Sequence, residues 1–345
     1  MLAQRLLSFC LLIGAVFFLA TLPPLAHHAW AEDDSDSASD SDNDRSGMDD
    51  KDSDDDKQAD KDDDSGKGDA DRDEDDDKPP HPVRRFADKP PPSGAHPAVK
   101  AEASEAPPAT GNWWHPHPGT KWQIQYVGLI DTNAKVEAYD LDLFDTDAAT
   151  IATLHSNGVK TMCYFSAGSY EGWRPDVKRF PSAVLGRGLE GWKYERWLDI
   201  RKLDLLKPIM EDRIKMAKQK GCDAIDPDNV EGYDNKSGFA LTPGDQIRYN
   251  KMIAQLAHDN GMAVGLKNDL DQIESLLPYF DFQVNEQCFE YHSCNELIPF
   301  IKANKPVFNI EYNVATDKFC PQANAMNFDS LKKDLDLGLK VKTCR

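Results

Sequence analysis

Residues 111–345 predict an α/β fold, a single parallel (β/α)8 barrel of the TIM type, and three observations lead there. Eight short apolar runs recur along the segment. Stretches of helical period separate most of them, and polar residues gather at the C-terminal ends of the runs. Strand and helix alternating in this way call for a parallel sheet with its helices outside. One barrel of roughly 250 residues is of ordinary size.

Taken in order, "WQIQYVG" (122–128) leads to Asp131, and "AYDLDLFDT" (138–146) carries Asp140, Asp142 and Asp145. The helical pattern "DAATIATLHSNG" follows, then "VKTMCYFSAG" (159–168), which ends near Ser166. The stretch 169–199 has neither period and is expected to be an extended loop holding Trp173, Trp192 and Trp197. A long helical pattern, "RKLDLLKPIMEDRIKMAKQKG", leads to "CDAIDPDN" (222–229), and "GDQIRYNKMIAQLAHDNG" leads to "AVGLKND" (263–269). "LDQIESLLPYF" precedes "FDFQVNEQC" (280–288), and "CNELIPFIKAN" precedes "PVFNIEY" (306–312). Last come the helical "NFDSLKKDLDLG" (327–338) and the eighth strand, "LKVKTC" (339–344). Several helices close on Gly or Asn, the residues that tolerate the left-handed turn ending a helix.

The segments before the barrel differ in kind. Residues 1–31 have Arg5 as their only charge, an apolar run cut short by Pro23, Pro24, His27 and His28, and the closing "AWA". This is the pattern of a secretory signal peptide rather than a membrane span. Residues 32–110 carry 27 of the chain's 60 acidic residues against 11 of its 40 basic ones, then turn proline-rich. Such a segment cannot bury enough apolar surface to offset its ordering entropy and is expected to be a disordered tail. It solubilises, or it attracts a cell-wall polymer or cations. No later segment is apolar enough to span a membrane, so the mature protein is expected to be secreted, extracellular or wall-associated.

Of the seven cysteines, Cys10 lies in the signal and six in the barrel. Export favours pairing. Cys288 with Cys294 is the first candidate pair and Cys320 with Cys344 the second, while Cys163 and Cys222, inside apolar runs, are expected to be free and buried. None of the spacings reads as a zinc site, and no cofactor or metal is expected. There is no dinucleotide fingerprint, no phosphate loop and no basic aromatic surface for nucleic acid.

In a barrel the C-terminal strand ends form the face where active sites lie. Asp228 and Glu286 each end an apolar run, and only one strand separates theirs. Two such carboxylates suit glycoside hydrolysis, one as nucleophile or base and the other as proton donor. For Asp131, Asp145 and Asp269 a turn-forming or capping role carries equal weight. Trp113, Trp114, Trp173, Tyr126, Tyr164 and Tyr312 would supply flat faces for sugar rings, although each taken alone reads first as an ordinary packed aromatic. The order "WQIQYVG", "YDLDLFDT", "CYFSAGSYEGWRPD", "DAIDPDN", "GLKND", "NEQC" resembles glycoside hydrolase family 114, the endo-α-1,4-polygalactosaminidases. The resemblance implies a (β/α)8 barrel cleaving partly deacetylated galactosamine polymers, with an Asp on strand four and a Glu on strand six as catalytic pair.

Carried over, the Glu is Glu286. Of the two aspartates in "DPDN", Asp228 lies nearer the open end, and Asp226 sits one layer deeper as a substrate or supporting residue. A cationic galactosamine-containing polysaccharide would also engage Asp131, Asp140 and Glu311 through its ammonium groups. Lys267, Asn268, Tyr164 and Tyr312 complete the expected binding set. The alternatives are a glycosidase acting on another α-linked glycan and a non-catalytic carbohydrate-binding barrel.

Overall fold

The computed structural model describes residues 111–345, so the expected signal peptide and acidic tail lie outside the described residues. The chain forms β1 (Trp122–Gln125), β2 (Ala138–Asp142), α1 (Ala148–Ser156), β3 (Lys160–Ser166), β4 (Ser169–Glu171), β5 (Leu185–Gly188) and β6 (Glu195–Leu198). It continues with α2 (Leu203–Lys220), β7 (Ala224–Asp228), α3 (Pro243–Asp259), β8 (Ala263–Lys267), α4 (Ile273–Leu276) and β9 (Phe282–Glu286). α5 (Ile298–Lys302), β10 (Val307–Glu311), α6 (Thr316–Ala325), β11 (Asp329–Lys333) and β12 (Val341–Thr343) close it. Strands run β1-β2-β3-β7-β8-β9-β10-β11-β12, every neighbour parallel except β12, which pairs antiparallel with β11. β1 meets the far edge through single bonds: Trp122 Nε1 donates to the Asp329 carbonyl at 2.7 Å and the Tyr126 amide to the Leu337 carbonyl at 2.9 Å. The barrel is nearly closed.

Alternation along each strand divides the core in two. Trp122, Ile124, Ala138, Met162, Ala224, Ala263, Phe282, Val284, Phe308 and Ile310 pack inside the barrel. Their neighbours, such as Tyr139, Leu141, Cys163, Ile225, Val264 and Leu266, pack outward against the helices. Small and large residues interlock inside. A Cβ on Gly265 would lie 2.4 Å from the Phe282 ring, so the glycine makes room for that ring.

Local chemistry sets the helix ends. Asp147 accepts from the Thr150 amide at 2.7 Å to cap α1. Thr242 and Asp245 form a reciprocal capping box on α3, with Pro243 in its first turn. Gly221, at φ 100°, ends α2 in a left-handed turn that an L side chain resists.

Four expectations need correction. The stretch 169–199 is not loop alone: β4, β6 and β5 make a small antiparallel sheet. The eighth barrel strand is β11, drawn from the stretch that reads as helical. Leu331 and Leu335 share a helical spacing there, yet the open edge of β10 offers Phe308–Glu311 as ladder partners to Asp329–Lys332. "LKVKTC" supplies β12 outside it. Cys163 and Cys222 are not free but disulfide-bonded, with Cα atoms 6.1 Å apart. β3 and β7 are neighbours paired from Met162↔Ala224 onward, and this brings together cysteines 59 residues apart. Trp113 and Trp114, expected to face sugars, instead pack by the N-terminal strand ends. Trp113 stacks on His258 at 4.0 Å and donates to Asp281 at 3.0 Å, and Trp114 packs on Phe282. The pairs Cys288–Cys294 and Cys320–Cys344 form as expected.

The Cys163–Cys222 bridge closes by far the longest loop of the three, so its removal should release the most unfolded-chain entropy. A Cys163→Ser/Cys222→Ser variant is expected to lose about 2–4 kcal/mol of stability in urea unfolding. Serines at Cys288 and Cys294, six residues apart, are expected to cost less.

Candidate active site

The inward alternation that fills the barrel with apolar groups turns polar in its last layers. Asp140 follows Ala138 on β2, Tyr164 follows Met162 on β3, and Asp226 and Asp228 follow Ala224 on β7. Lys267 follows Gly265 on β8, Glu286 follows Val284 on β9, and Tyr312 follows Ile310 beyond β10. Register then sets their heights: Tyr164 lies opposite Asp226, Ser166 opposite Asp228, and Lys267 opposite Val284.

Lys267 stands at the centre. Its side chain is fully buried, and its ammonium lies 3.5 Å from Asp226 Oδ2, 3.6 Å from Asp228 Oδ1 and 3.8 Å from Glu286 Oε1. A cation out of water needs such partners. Each upper carboxylate also has its own phenol: Tyr164 donates to Asp228 at 3.1 Å and Tyr312 to Glu286 at 2.8 Å. Tyr126 donates to Asp226 at 3.4 Å, and its ring packs tilted against that of Tyr164 with centres 4.4 Å apart.

Below them Asp140 and Asp226 are completely buried. Burial, then the charge of Asp226, pushes the Asp140 carboxyl well above its ordinary range, and burial also raises Asp226. Both shifts favour the protonated form, and the ammonium of Lys267 opposes them at each group.

Three strand ends turn abruptly. Asn229, Asn268 and Gln287, each directly after Asp228, Lys267 and Glu286, have positive φ of 61°, 48° and 64°. Such conformations cost about 1–3 kcal/mol and persist where surroundings hold them. The Asp228 carbonyl accepts from the Ala167 and Gly168 amides at 2.9 and 3.0 Å, and a Cβ on Gly168 would fall 1.7 Å from the Asn229 carbonyl. Only glycine permits that approach. Asn268 Oδ1 accepts from the Glu286 amide at 3.0 Å, tying the ends of β8 and β9 together.

Above this layer opens a cleft of about 390 Å³ lined by Tyr164, Asp228, Asn229, Asn268, Glu286 and Glu231, with Leu189, Trp192 and Glu195 from the β5–β6 hairpin as its cover. Burial, then Asp228, lifts Glu231 to about 8. Ser169 donates to Glu195 at 2.8 Å, and Ser166, Ser169 and Asn229 are hydrogen-bonded to one another, joining the cover to the strand ends.

Of the residues expected from sequence, Asp140, Tyr164, Asp226, Asp228, Lys267, Asn268, Glu286 and Tyr312 come together. Asp131 and Glu311 do not. Asp131 accepts from the Asn133 amide at 3.0 Å, forming a turn in the loop after β1. Glu311 is one residue out of step with the inward face of β10; it accepts from the Phe289 amide at 2.9 Å beneath the Cys288–Cys294 loop, and burial lifts it to about 7. Sequence reasoning left Glu231, three residues after Asp228 in the same carboxylate cluster, without a role, and it passed over Glu195 and Leu189, which carry no signal until β5 and β6 fold over the cleft. Among the described residues no group of acids, histidines and cysteines has the arrangement of a metal site.

The model of glycoside-hydrolase family GH114 matches residues 103–345. The chain belongs to this family. It is a glycoside hydrolase by descent as well as by fold. Ega3 of Aspergillus fumigatus, solved in complex with galactosamine, is 42% identical and superposes with a TM-score of 0.65 over 68% of this chain and 99% of that one. The glycoside hydrolase domain of PelA from Pseudomonas aeruginosa shares the fold at 10% identity, with a TM-score of 0.52 over 65% of this chain and 98% of the other. No curated protein matches the chain.

Two expected outcomes follow from this geometry. Lys267→Met, which strands Asp226 between Asp228 and Glu286, should cost about 3–5 kcal/mol in chemical unfolding at neutral pH. The second concerns pH. Asp140, Asp226, Asp269, Glu231 and Glu311 all bind a proton more tightly folded than unfolded. The folded chain therefore holds extra protons from about pH 4, where unfolded carboxyls titrate, up to the raised values, and stability falls as pH rises through that window. Calorimetry should give a higher Tm at pH 5 than at pH 8, and Glu311→Gln should flatten the fall near pH 7; a Tm that rises over this range would contradict the assignment.

Proposed function

We propose that the protein is a secreted, endo-acting hydrolase of α-1,4-linked, partly deacetylated galactosamine polymers, with Asp228 and Glu286 as its carboxylate pair. The observation that carries the reading is the pair itself: two carboxylates at the ends of β7 and β9, facing one open cleft and sharing the buried ammonium of Lys267. Support for the substrate comes from Ega3, whose solved structure holds galactosamine. The three disulfides support export to an oxidising compartment. The acidic segment 32–110 would hold the enzyme near a cationic polymer.

Glu286 protonates the glycosidic oxygen as its bond to the anomeric carbon breaks, while Asp228 stabilises or captures the positive charge developing there. In the retaining form Glu286 then removes a proton from the water that releases the sugar from Asp228. Lys267 keeps the two carboxylates from repelling each other, and Tyr164 and Tyr312 fix their orientation. Asp228 Oδ1 and Glu286 Oε1 lie 3.6 and 3.8 Å from one nitrogen, a span that admits both the retaining spacing of about 5–5.5 Å and the short inverting spacing of about 6.5 Å, so the anomeric form of the product decides between them.

The test is hydrolysis of partly deacetylated α-1,4-galactosamine polymer by the purified chain, with products sized by mass spectrometry and their anomeric form read by NMR. Oligomers spread over several lengths are expected. Asp228→Asn and Glu286→Gln should lower the rate by about a hundredfold or more with folding intact. Binding of the polymer without cleavage would replace this reading with that of a carbohydrate-binding barrel.

A further inference from the structure

Between β7 and α3 the chain runs through a loop, and three of its residues form a pattern with chemistry of its own. "NKS", residues 235–237, places an asparagine two residues before a serine, and neither Lys236 nor Gly238 is proline. No other asparagine in the sequence stands in that relation to a serine or threonine. This is the acceptor pattern for an N-linked oligosaccharide, a group added to chains bound for export.

The fold leaves Asn235 able to carry such a group. Asn235, Lys236 and Gly238 are exposed. Asn235 follows the short turn Gly232–Asp234 with extended backbone, φ −113° and ψ 161°, so a branched sugar on it would disrupt neither helix nor strand. Its Nδ2 donates to the Glu231 carbonyl at 3.0 Å. A carboxamide nitrogen has two hydrogens, and replacing the other by a sugar leaves that bond intact. Asn250 and Asn309 show the contrast: both are fully buried and use their amide hydrogens on Val230 and Asp269, and on Asn285 and Glu311. The loop is also fixed in place. The Arg187 amide of β5 donates to the Ser237 carbonyl at 2.8 Å, and the Ser237 amide to the Asn235 carbonyl at 2.7 Å. A Cβ on Gly186 would fall 2.2 Å from that Ser237 carbonyl, so the loop lies directly against the hairpin. Asn235 therefore stands at the rim of the barrel mouth, beside the cover of the cleft.

We propose that Asn235 is an N-glycosylation site, which places an oligosaccharide at this rim. The proposal rests on export and not on the hydrolase reading. The co-reactant is a lipid-pyrophosphate-linked oligosaccharide of the secretory compartment. Asn235 Nδ2 bonds to the anomeric carbon of the first sugar as the bond from that carbon to the pyrophosphate oxygen breaks. The lipid pyrophosphate leaves, and the nitrogen gives up one proton. Its remaining hydrogen stays on the Glu231 carbonyl. Ser237, whose hydroxyl completes the acceptor pattern, is 1% exposed in the folded chain. Transfer therefore precedes the packing of this loop, and folding then buries the serine while the sugar stays outside.

The test is mass spectrometry of the full chain secreted by a yeast, before and after treatment with peptide-N-glycosidase, for the wild type, Asn235→Gln and Ser237→Ala. The wild type is expected to carry added mass that the glycosidase removes, with the peptide map placing the resulting acid at position 235. Both variants should lose that mass completely. Asn235→Gln keeps an exposed carboxamide and should melt within a degree or two of the deglycosylated wild type, so its loss is not one of folding. Ser237→Ala keeps Asn235 itself, so its loss shows that the pattern is read and not the side chain alone. Wild-type chain secreted without releasable mass overturns the proposal and leaves export standing. Chain retained in the cytosol overturns both. Releasable mass that persists in Asn235→Gln overturns the assignment to this residue.

Discussion

The shared ammonium of Lys267 is the interaction on which the mouth of this barrel depends. A lysine with no solvent exposure is tolerable only if carboxylates surround it, and carboxylates this crowded are tolerable only around a cation. The two requirements meet because β7, β8 and β9 are adjacent and each turns a charged residue inward near its C-terminal end. A fourth inward acid, Asp140, lies buried below them, where burial and the charge of Asp226 favour its protonated form. Two carboxylates oriented by phenols thus reach the open cleft, beside Glu195 and Glu231.

Rigid backbone holds that pair in place. Left-handed turns after Asp228, Lys267 and Glu286 stop the strands abruptly, so the three side chains project from ordered β-structure and not from mobile loops. The insertion between β3 and α2 is fastened to the same strand ends. Arg213, 1% exposed, donates to the Ser166 carbonyl at 2.8 Å and pairs with Asp176, and Arg174 is buried among Asp142, Glu171 and Asp145. The cover bearing Trp192 is therefore tied to the barrel by buried ion pairs as well as by the small antiparallel sheet. The cleft's cover and its carboxylates belong to one connected structure.

Most of the central site was legible because a strand has a period of two. Asp226 with Asp228, and the positions of Lys267, Glu286 and Tyr312, follow from apolar runs that end in polar residues at even spacing. Glu311 shows the limit of that reading. It is adjacent to Tyr312, and in a buried strand where both faces are covered, hydropathy does not say which neighbour points inward. Asp131 shows another, since an aspartate beyond a strand end serves a turn as readily as a site. The eighth strand was lost for a related reason: five residues with mixed spacing carry little periodic signal, and pairing with β10 outweighs local preference.

By itself, then, the amino-acid sequence determined the alternation of strand and helix, the end of the barrel at which chemistry would lie and the identity of the carboxylates ending β7 and β9. These depend on local periodicity and on the rule that parallel strands expose their C-terminal ends on one face. Tertiary structure decided the rest. It joined Cys163 to Cys222 across neighbouring strands, sent Trp113 and Trp114 to the N-terminal strand ends, folded the 169–199 stretch over the cleft and brought Glu231 to the cleft wall. Each of those outcomes depends on which distant segments become neighbours, and on how much water remains between them, quantities that no local pattern along the chain encodes.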